Sequence, residues 1–329
     1  MVESKVCIVI VTYGDRLKFL VQVVERVLSF NQVTKVVVVN NASISALNFT
    51  DPRVLLLNNS VNEGSAGGYH KGIKYAFEHV ECDFIWLLDD DNLPEDTSLD
   101  KLLEKWQIIE GADNKKALFC LRDDRAVHVK IAKGASPKRY YLVADNFLGF
   151  HLFRIFYNQY YKFTDKFKKT GEYKEQVTMP YVPYGGLLLH KSLIADIGYP
   201  DERFFLYVDD SEYSYRITQN GGIIWLIPAC KVIDIDKSQG INYKKRLFHS
   251  QLLDEWNFRT YYHVRNRMSF YSRVAIKNKF MFTVNKVLYL AYLQAISVVS
   301  SKQSAYKKLL AAVNDGLTGN LGKANPEKF

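Results

Sequence analysis

Three adjacent carboxylates, Asp89-Asp90-Asp91, follow the apolar run Phe84-Ile85-Trp86-Leu87-Leu88. Like charges at the end of a buried strand repel one another and lose hydration, so something must compensate them. In an extended chain Asp89 and Asp91 point the same way and could share one divalent ion. Oxygen-only ligands suit Mg²⁺ or Mn²⁺. The alternative is a solvated acidic turn before Asn92-Leu93-Pro94. A phosphatase motif of the DxDx[T/V] type would need Thr or Val where this chain has Leu93, and no GxxxxGK[ST] phosphate loop is present.

Two further clusters carry possible chemistry. Asn62-Glu63-Gly64-Ser65-Ala66-Gly67-Gly68 follows one strand-like run and opens a helical period. Glycines there let backbone N–H groups approach a phosphate or sugar, and a helix start favours anions; a plain tight turn would use the same residues. Asp209-Asp210-Ser211-Glu212, with Arg216 one turn on, sits at another helix start. Such carboxylates can cap the helix, or one can be held ready as a general base. Gly185-Gly186-Leu187 precedes this cluster.

Short, apolar, β-branched runs recur at Val6–Thr12, Val36–Asn40, Val54–Asn58, Phe84–Leu88 and Ala117–Leu121. They read as strands covered on both faces. Between them, residues such as Leu17, Leu20, Val21, Val24, Val27 and Leu28 repeat at spacings of three and four, as an amphipathic helix does. Alternating strand and helix predicts an α/β chain with a mostly parallel sheet between helices. Ligands then sit beyond the carboxyl ends of the strands, at Thr12-Tyr13-Gly14-Asp15, Asn40-Asn41-Ala42-Ser43, Asn58-Asn59 and Asp89-Asp90-Asp91. Strand-and-helix texture returns after Val177, and from about His249 the pattern is helical.

The net charge of +9 over 329 residues is uneven. Residues 1–114 carry −7, 115–175 carry +8, 176–230 carry −3 and 231–279 carry +7. A uniformly basic nucleic-acid binder does not look like this, and no recognition module is evident. The four cysteines (Cys7, Cys82, Cys120, Cys230) form no CxxC pair and read as reduced, buried thiols. Val6–Val11 is too short for a signal-peptide core. Met281–Ser300 is interrupted by Asn285, Lys286 and Gln294, and reads as amphipathic, at most a membrane-surface helix. Aromatic and basic residues interleave over Asn146–Phe163 and again over Arg246–Arg273. Such faces suit anionic lipid headgroups, or packing against the catalytic core or a partner subunit.

Taken in order, these motifs resemble the inverting glycosyltransferases of family 2, which have the GT-A fold. Val9-Ile10-Val11-Thr12-Tyr13 looks like the opening strand that meets the nucleotide base, and Asn40-Asn41-Ala42-Ser43 like the second-strand motif. The glycine stretch is similar to the Asn-x-Gly-Gly-x-Gly-Gly of the galactofuranosyl- and rhamnosyltransferase branch, and Asp89-Asp90-Asp91 to the DxD metal motif. Asp209-Asp210-Ser211-Glu212 with Arg216 is similar to the (E/D)D-x-(D/E)…R segment, which makes Asp210 the implied base. Tyr261-Tyr262-His263-Val264-Arg265-Asn266 resembles that branch's YY-x-x-RN, and Asp315–Gly322 its dG-x-x-G-x-x-G.

The resemblance implies a GT-A catalytic domain over residues 1–248 and a helical extension over 249–329. It implies donor contacts at Thr12, Tyr13, Asp15, Asn41, Asn62, Gly64, Gly67, Gly68, Asp89 and Asp90, and acceptor contacts at Tyr184, Gly185, Gly186, Asp209 and Glu212. It implies Mn²⁺ or Mg²⁺ at Asp89 and Asp91. The metal-binding His of relatives is missing, and Asp234 or Asp236 stands in its place. The implied reaction moves a hexose from a nucleotide-diphosphate sugar to a bacterial surface glycan. UDP-galactofuranose is the favoured donor and dTDP-rhamnose the alternative. The implied acceptor is lipid-linked, at the cytoplasmic face of the membrane, and a homo-oligomer is compatible with the basic aromatic faces. A sugar-1-phosphate nucleotidyltransferase would want a GxGxRL-type loop, which Thr12-Tyr13-Gly14-Asp15-Arg16 lacks. A non-enzymatic glycan binder would not need the set Asp89, Asp91 and Asp210.

Overall fold

The computed structural model describes residues 4–167, 171–236, 243–244 and 246–329. In chain order its elements are β1 (Val6–Gly14), α1 (Leu17–Leu28), β2 (Val33–Ser43), β3 (Val54–Asn59), α2 (Gly64–His79), β4 (Phe84–Asp89), β5 (Asn92–Pro94), α3 (Ser98–Ile108), β6 (Lys116–Leu121), α4 (Ala126–Ala132), α5 (Arg154–Phe167) and β7 (Val177–Met179). They continue with β8 (Leu187–His190), α6 (Lys191–Ile197), α7 (Asp209–Gln219), β9 (Ile223–Asp234), α8 (Gln251–Asp254), α9 (Phe258–Val274), α10 (Lys279–Val299) and α11 (Gln303–Thr318).

The chain divides into two compact units. One comprises Met1–Pro137, Glu172–Phe205 and Asp209–Gly240; the other comprises Lys138–Gly171, Leu206–Val208 and Ile241–Phe329. The sequence suggested a single cut at 248/249, so residues 138–171 are on the other side of the division from where they were expected. The reason lies in the loop after Val143. Asp145 Oδ1 accepts the backbone N–H groups of Lys277 and Asn278 at 2.7 Å each. Asn285, fully buried on α10, donates to the Asp145 carbonyl at 2.8 Å and accepts from Leu152 N–H at 2.9 Å. These bonds make the aromatic segment part of the helical unit.

The first unit is an α/β sandwich. The sheet order is β3-β2-β1-β4-β8-β6-β9-β5, with β7 beside β9. β3, β2, β1 and β4 run parallel, and β6 is parallel to β9, while β8 enters antiparallel between β4 and β6. The apolar core of β1, β2, β4 and β6 packs on α1 and α3. On the other face α2 lies against β1 without an intervening side chain. A Cβ on Gly68 would come within 2.5 Å of Val11 Cγ1, and one on Gly72 within 2.5 Å of Val9 Cγ1. Register then aligns the strand ends: Val11 pairs with Asp89, Thr12 with Asn40, and Asn41 with Asn59. All four cysteines are buried and free.

The second unit is helical. Its two sequence motifs hold each other. Tyr261 Oη donates to Asp315 Oδ2 at 2.6 Å, and Arg265 Nη1 donates to the Gly322 carbonyl at 2.6 Å. Gly316 lets α11 touch α9, since a Cβ there would lie 2.2 Å from the Arg265 carbonyl oxygen. Asn266 Nδ2 donates to the carbonyls of Leu206 and Tyr207. Among the described residues α10 alone is long and apolar enough to cross a membrane by length and composition. It buries Phe282, Asn285, Leu293, Ile296 and Ser297, while Phe280, Val287, Leu288, Tyr292, Val298 and Val299 are exposed.

Candidate active site

The carboxyl ends of β1 and β4 build the floor of the site. Asp90 is almost fully buried, and both its oxygens are spent. Thr12 Oγ1 donates to Oδ2 and Arg16 Nε to Oδ1, at 2.7 Å each. Burial pushes the Asp90 carboxyl up to about 7, against the pull of Arg16. Thr12 and Asp90, expected to touch the donor, bond to each other and to Arg16 inside the protein. The same guanidinium reaches Asp236 Oδ2 at 2.7 Å and also Asp91 Oδ2. Arg16 thus gathers three carboxylates and is itself only 8% exposed.

Asp89 is different. Its Oδ1 lies 2.8 Å from Tyr69 Oη, which is equally near the Leu88 carbonyl. Its Oδ2 faces Gly185, where a Cβ would approach to 2.8 Å and would meet Asn92 Oδ1 at 1.7 Å. Gly185 is therefore needed for close approach beside Asp89. Gly186 follows at φ +104, donating its N–H to the Leu87 carbonyl and accepting from Cys120 N–H.

Asp234 lies across from Asn92 in the β5–β9 pair. Its Oδ2 accepts from Arg122 Nη2 at 3.1 Å, and Oδ1 accepts the Asp236 N–H. Arg122, almost fully buried, also donates to Asn92 Oδ1 and to both oxygens of Asp124. Asp91 is raised by burial and then by the charge of Asp89; Asp234 is raised by burial and then by the charge of Asp91. The three carboxylates therefore sense one another. Even so, among the described residues no three His, Cys, Asp or Glu side chains gather closely enough to hold an ion alone.

That arrangement still fits the divalent cation that the resemblance implies. Asp89 offers an oxygen with no hydrogen bond from the described residues, beside the cradle at Gly185. Mg²⁺-type sites characteristically use one or two carboxylates and complete their shell with substrate phosphates and water. Asp89 would be the open member of such a pair, while Asp91 accepts from Arg16 on Oδ2 and from Asn92 Nδ2 on Oδ1 at 2.8 Å and would have to share them with the ion. Asp234 and Asp236, the expected substitutes for the missing His, are committed to Arg122 and Arg16 instead.

The opposite wall begins at α7. Asp209 is 2% exposed, and among the described residues neither its Oδ2 nor the buried Tyr184 Oη has a hydrogen-bond partner of normal geometry. Burial and then the charge of Asp210 push Asp209 up to about 8. Asp210 is pushed to about 6, chiefly by burial and partly by the charge of Asp89. Ser211 opposes this, donating its N–H to Asp210 Oδ1 at 2.6 Å and its hydroxyl at 3.1 Å. Asp210 Oδ2 takes no hydrogen bond from the described residues. Both carboxyls are thus raised, Asp209 further than Asp210, and environments that split two carboxyls assign them different work. Tyr184 stacks on Tyr69 with centroids 3.8 Å apart, linking this wall to Asp89.

Several expected contacts have other employment. Glu212 forms a two-pronged ion pair with Arg216, which also binds the carbonyls of Ile197 and Tyr199, so it braces a turn. Asn41 is buried and spends its amide on Asn59, Asn62, Glu63 and Gly64. Asn62 caps the same turn at Gly64 N–H. A Cβ on Gly64, at φ +74, would fall 1.9 Å from the Phe205 carbonyl oxygen, and one on Gly67 2.8 Å from Glu63 Cβ. These residues shape the glycine turn. Tyr13 and Asp15 remain at the exposed end of β1; Asp15 accepts from Ser45. Sequence reasoning missed Arg16, Tyr69 and Arg122. Arg122 directly follows the β6 run, and the strand-end rule applied there would have found it.

With this geometry the sheet and its carboxyl-end site define a GT-A-like α/β unit. Residues 7–113 match the sequence model of Glycosyl transferase family 2, a family of transferases. No curated protein sequence matches the chain. Among solved structures, a mannosyltransferase from Pyrobaculum calidifontis, in complex with GDP-Man and Mn²⁺, aligns with a TM-score of 0.51 at 14% identity, over 99% of this chain and 77% of that one. GalNAc-T7 with UDP, GalNAc and Mn²⁺ aligns at 0.49 and 14% identity over 71% of this chain. The alignment spans 44% of the GalNAc-T7 chain, less than half its length. TarS 1–349 of S. aureus aligns at 0.45 and 13% identity, over 95% and 88% of the two chains.

Proposed function

We propose that the protein is an inverting glycosyltransferase that passes a hexose from a nucleotide-diphosphate sugar to a hydroxyl of a lipid-linked surface glycan. The reading is supported above all by the split carboxyl pair Asp209/Asp210, held opposite the Asp89 wall by the Tyr69–Tyr184 stack. Asp89 and Asp91 would hold a divalent cation, Mn²⁺ or Mg²⁺, with the donor diphosphate. When bound, the cation neutralises charge that develops on the leaving diphosphate.

Asp210 takes the acceptor proton on its free Oδ2, while Ser211 fixes Oδ1 so that the lone pair points one way. The acceptor oxygen then attacks the anomeric carbon from the face opposite the diphosphate, which inverts configuration. A single base is enough, because a diphosphate leaves without a proton; a hydrolase would need a second carboxyl flanking the bond. Asp209, protonated at neutral pH, adds no charge to repel the nucleotide. Arg16 and Arg122 pair with the remaining acids of the floor. The GDP-Man and Mn²⁺ bound in the Pyrobaculum calidifontis structure support the same donor class.

A donor screen tests the proposal. Purified protein with Mn²⁺ or Mg²⁺, an acceptor glycan and each nucleotide sugar should release the nucleoside diphosphate with one donor. UDP-galactofuranose is the first to try and dTDP-rhamnose the second. Turnover that forms a sugar nucleotide from a sugar-1-phosphate would replace this reading with nucleotidyl transfer. Glycan binding without release from any donor would point to a binding protein.

A further inference from the structure

The chain reaches α7 through Phe205-Leu206-Tyr207-Val208, directly before Asp209 and Asp210. Side chains of these types favour extended or helical backbone, and none of them relieves a positive φ as glycine does. The structure nevertheless places Phe205 at φ +62, Tyr207 at φ +66 and Val208 at φ +67. Phe205, with ψ −65, lies in the rare, strained γ-turn region. A β-branched residue such as Val208 is a true outlier at positive φ. Strain of this kind persists only where the surrounding structure over-determines it, and it gathers at functional sites.

Two grips hold the segment. The Phe205 carbonyl accepts the Ala66 N–H at 3.2 Å and sits over Gly64, whose missing Cβ leaves it room. Asn266 is fully buried, and its Nδ2 donates to the carbonyls of Leu206 at 2.8 Å and Tyr207 at 2.9 Å. One side chain thus fixes two successive peptide groups. Its Oδ1 accepts from Arg265 Nε at 2.9 Å, which sets the amide the right way round. Arg265 is itself anchored on the Gly322 carbonyl. His263, one turn earlier on α9, meets the Tyr207 ring edge-on, with centroids 6.2 Å apart. The Tyr261–Asn266 and Asp315–Gly322 motifs therefore converge on this segment.

We propose that Asn266 is a positioning residue for the base. By holding the Leu206 and Tyr207 carbonyls it keeps Tyr207 and Val208 in the left-handed conformation. That conformation sets the direction in which α7 starts, and with it the direction in which Asp210 Oδ2 points. Asn266 acts through two peptide carbonyls and the chain that runs on from them into Asp210. The catalytic half of the inference rests on the transfer reading; the mechanical half is tested without a donor.

The full chain is compared with Asn266→Ala, Val208→Gly and the double variant, at a temperature where circular dichroism shows each one folded. Asn266→Ser, which keeps one shorter donor, serves in place of an alanine variant that does not fold, with the same signs expected. Urea unfolding reads the mechanical half. Val208→Gly should be more favourable to stability in the wild type than in Asn266→Ala, because only a clamped segment forces Val208 to positive φ. Effects that simply add leave no strain for Asn266 to hold and overturn the clamp. Nucleoside diphosphate release reads the catalytic half. Asn266→Ala should lower kcat about tenfold to a hundredfold, the worth of misplacing a reacting group by up to about 1 Å, with donor KM within about twofold. Adding Val208→Gly should recover about threefold or more of that loss, since glycine keeps a positive φ without a clamp. An unchanged kcat, or a loss that the glycine does not relieve, overturns the positioning role. Absence of release from any donor by the wild type refutes the transfer reading and the base with it, while the unfolding cycle still decides the clamp.

Discussion

The pH dependence of transfer should separate the two carboxyls of α7. With Asp210 at about 6, its ionised fraction is roughly nine-tenths at pH 7 and roughly one-tenth at pH 5. If Asp210 is the base, kcat/KM falls about tenfold between those values, with a single acidic limb. An unperturbed aspartate would stay almost fully ionised over the same range and give no limb. The limb should also ignore Asp209. That residue titrates near 8, so it is already protonated and neutral where Asp210 titrates. Asp209→Asn should therefore leave the limb near pH 6, whereas Asp210→Asn should cost roughly 10²–10⁴ in kcat, the usual worth of a positioned base. The assay is nucleoside diphosphate release from pH 4.5 to 8, with donor binding measured separately to show that Asp210→Asn still binds. A limb near 8 that disappears in Asp209→Asn would transfer the role to Asp209. Retained turnover in Asp210→Asn would refute the mechanism.

Three further outcomes follow from the same geometry. Arg16→Gln leaves Asp90, Asp91 and Asp236 without the guanidinium they share, a loss of about 3–5 kcal/mol by the usual cost of breaking a buried ion pair. At ~2–4 °C per kcal/mol for a unit of this size, thermal melting should drop by roughly 6–20 °C. Mn²⁺ should recover more of that drop than it adds to the wild type, and an unchanged melt would show that Arg16 is not the clamp. Gly68→Ala should overpack Val11 and cost about 1–3 kcal/mol in denaturant unfolding while leaving donor KM unchanged; a raised KM with unchanged stability would return Gly68 to the donor. Asp209→Asn should gain stability over wild type as pH rises. A carboxyl whose folded pKa is raised has its full stability below the unfolded value near 3.9 and loses it up to the folded value near 8. Urea unfolding at pH 4 and pH 8 checks the sign, and a variant that gains nothing at pH 8 contradicts it.

The parts of the fold that were legible in sequence are those that local patterning dictates. The runs at Val6, Val36, Phe84 and Ala117 are apolar throughout because both faces are covered, the run at Val54 forms the half-buried edge strand, and each lies within a strand. The insertion of β8 antiparallel between β4 and β6 was not legible, because Leu187–His190 is as apolar as its parallel neighbours and direction leaves no mark on composition. The place of residues 138–171 was hidden for a related reason. Their allegiance depends on Asp145 and Asn285, two polar residues 140 positions apart whose pairing is fixed only by the tertiary fold. The motif residues divide in the same way. Asp89 and Asp91 could be picked out because adjacent carboxylates at a buried strand end are costly, and Asp209 and Asp210 because acids clustered at a helix start either cap it or serve as a base. Asn41, Gly64 and Gly68 could be picked out too, but not that their duty is to shape a turn and admit a helix to the sheet.

The triple aspartate shows why a motif in sequence is not yet a site. Alternation along an extended chain separates Asp90 from its neighbours, and burial makes the separation chemical. Asp90 turns inward to Thr12 and Arg16, which fixes Arg16 at the point where it can also reach Asp91 and Asp236. Asp89 and Asp91 are thereby held on the other side without being neutralised in full. Asp89 retains an open oxygen beside Gly185, and its charge still reaches Asp210. A chain with Asn at position 90 could keep the metal pair yet lose the anchor for Arg16, and the floor of the site with it. The acidic first part of the sequence therefore does not need to be neutral to be stable. It needs its one buried arginine placed so that the charge left over faces the ligand.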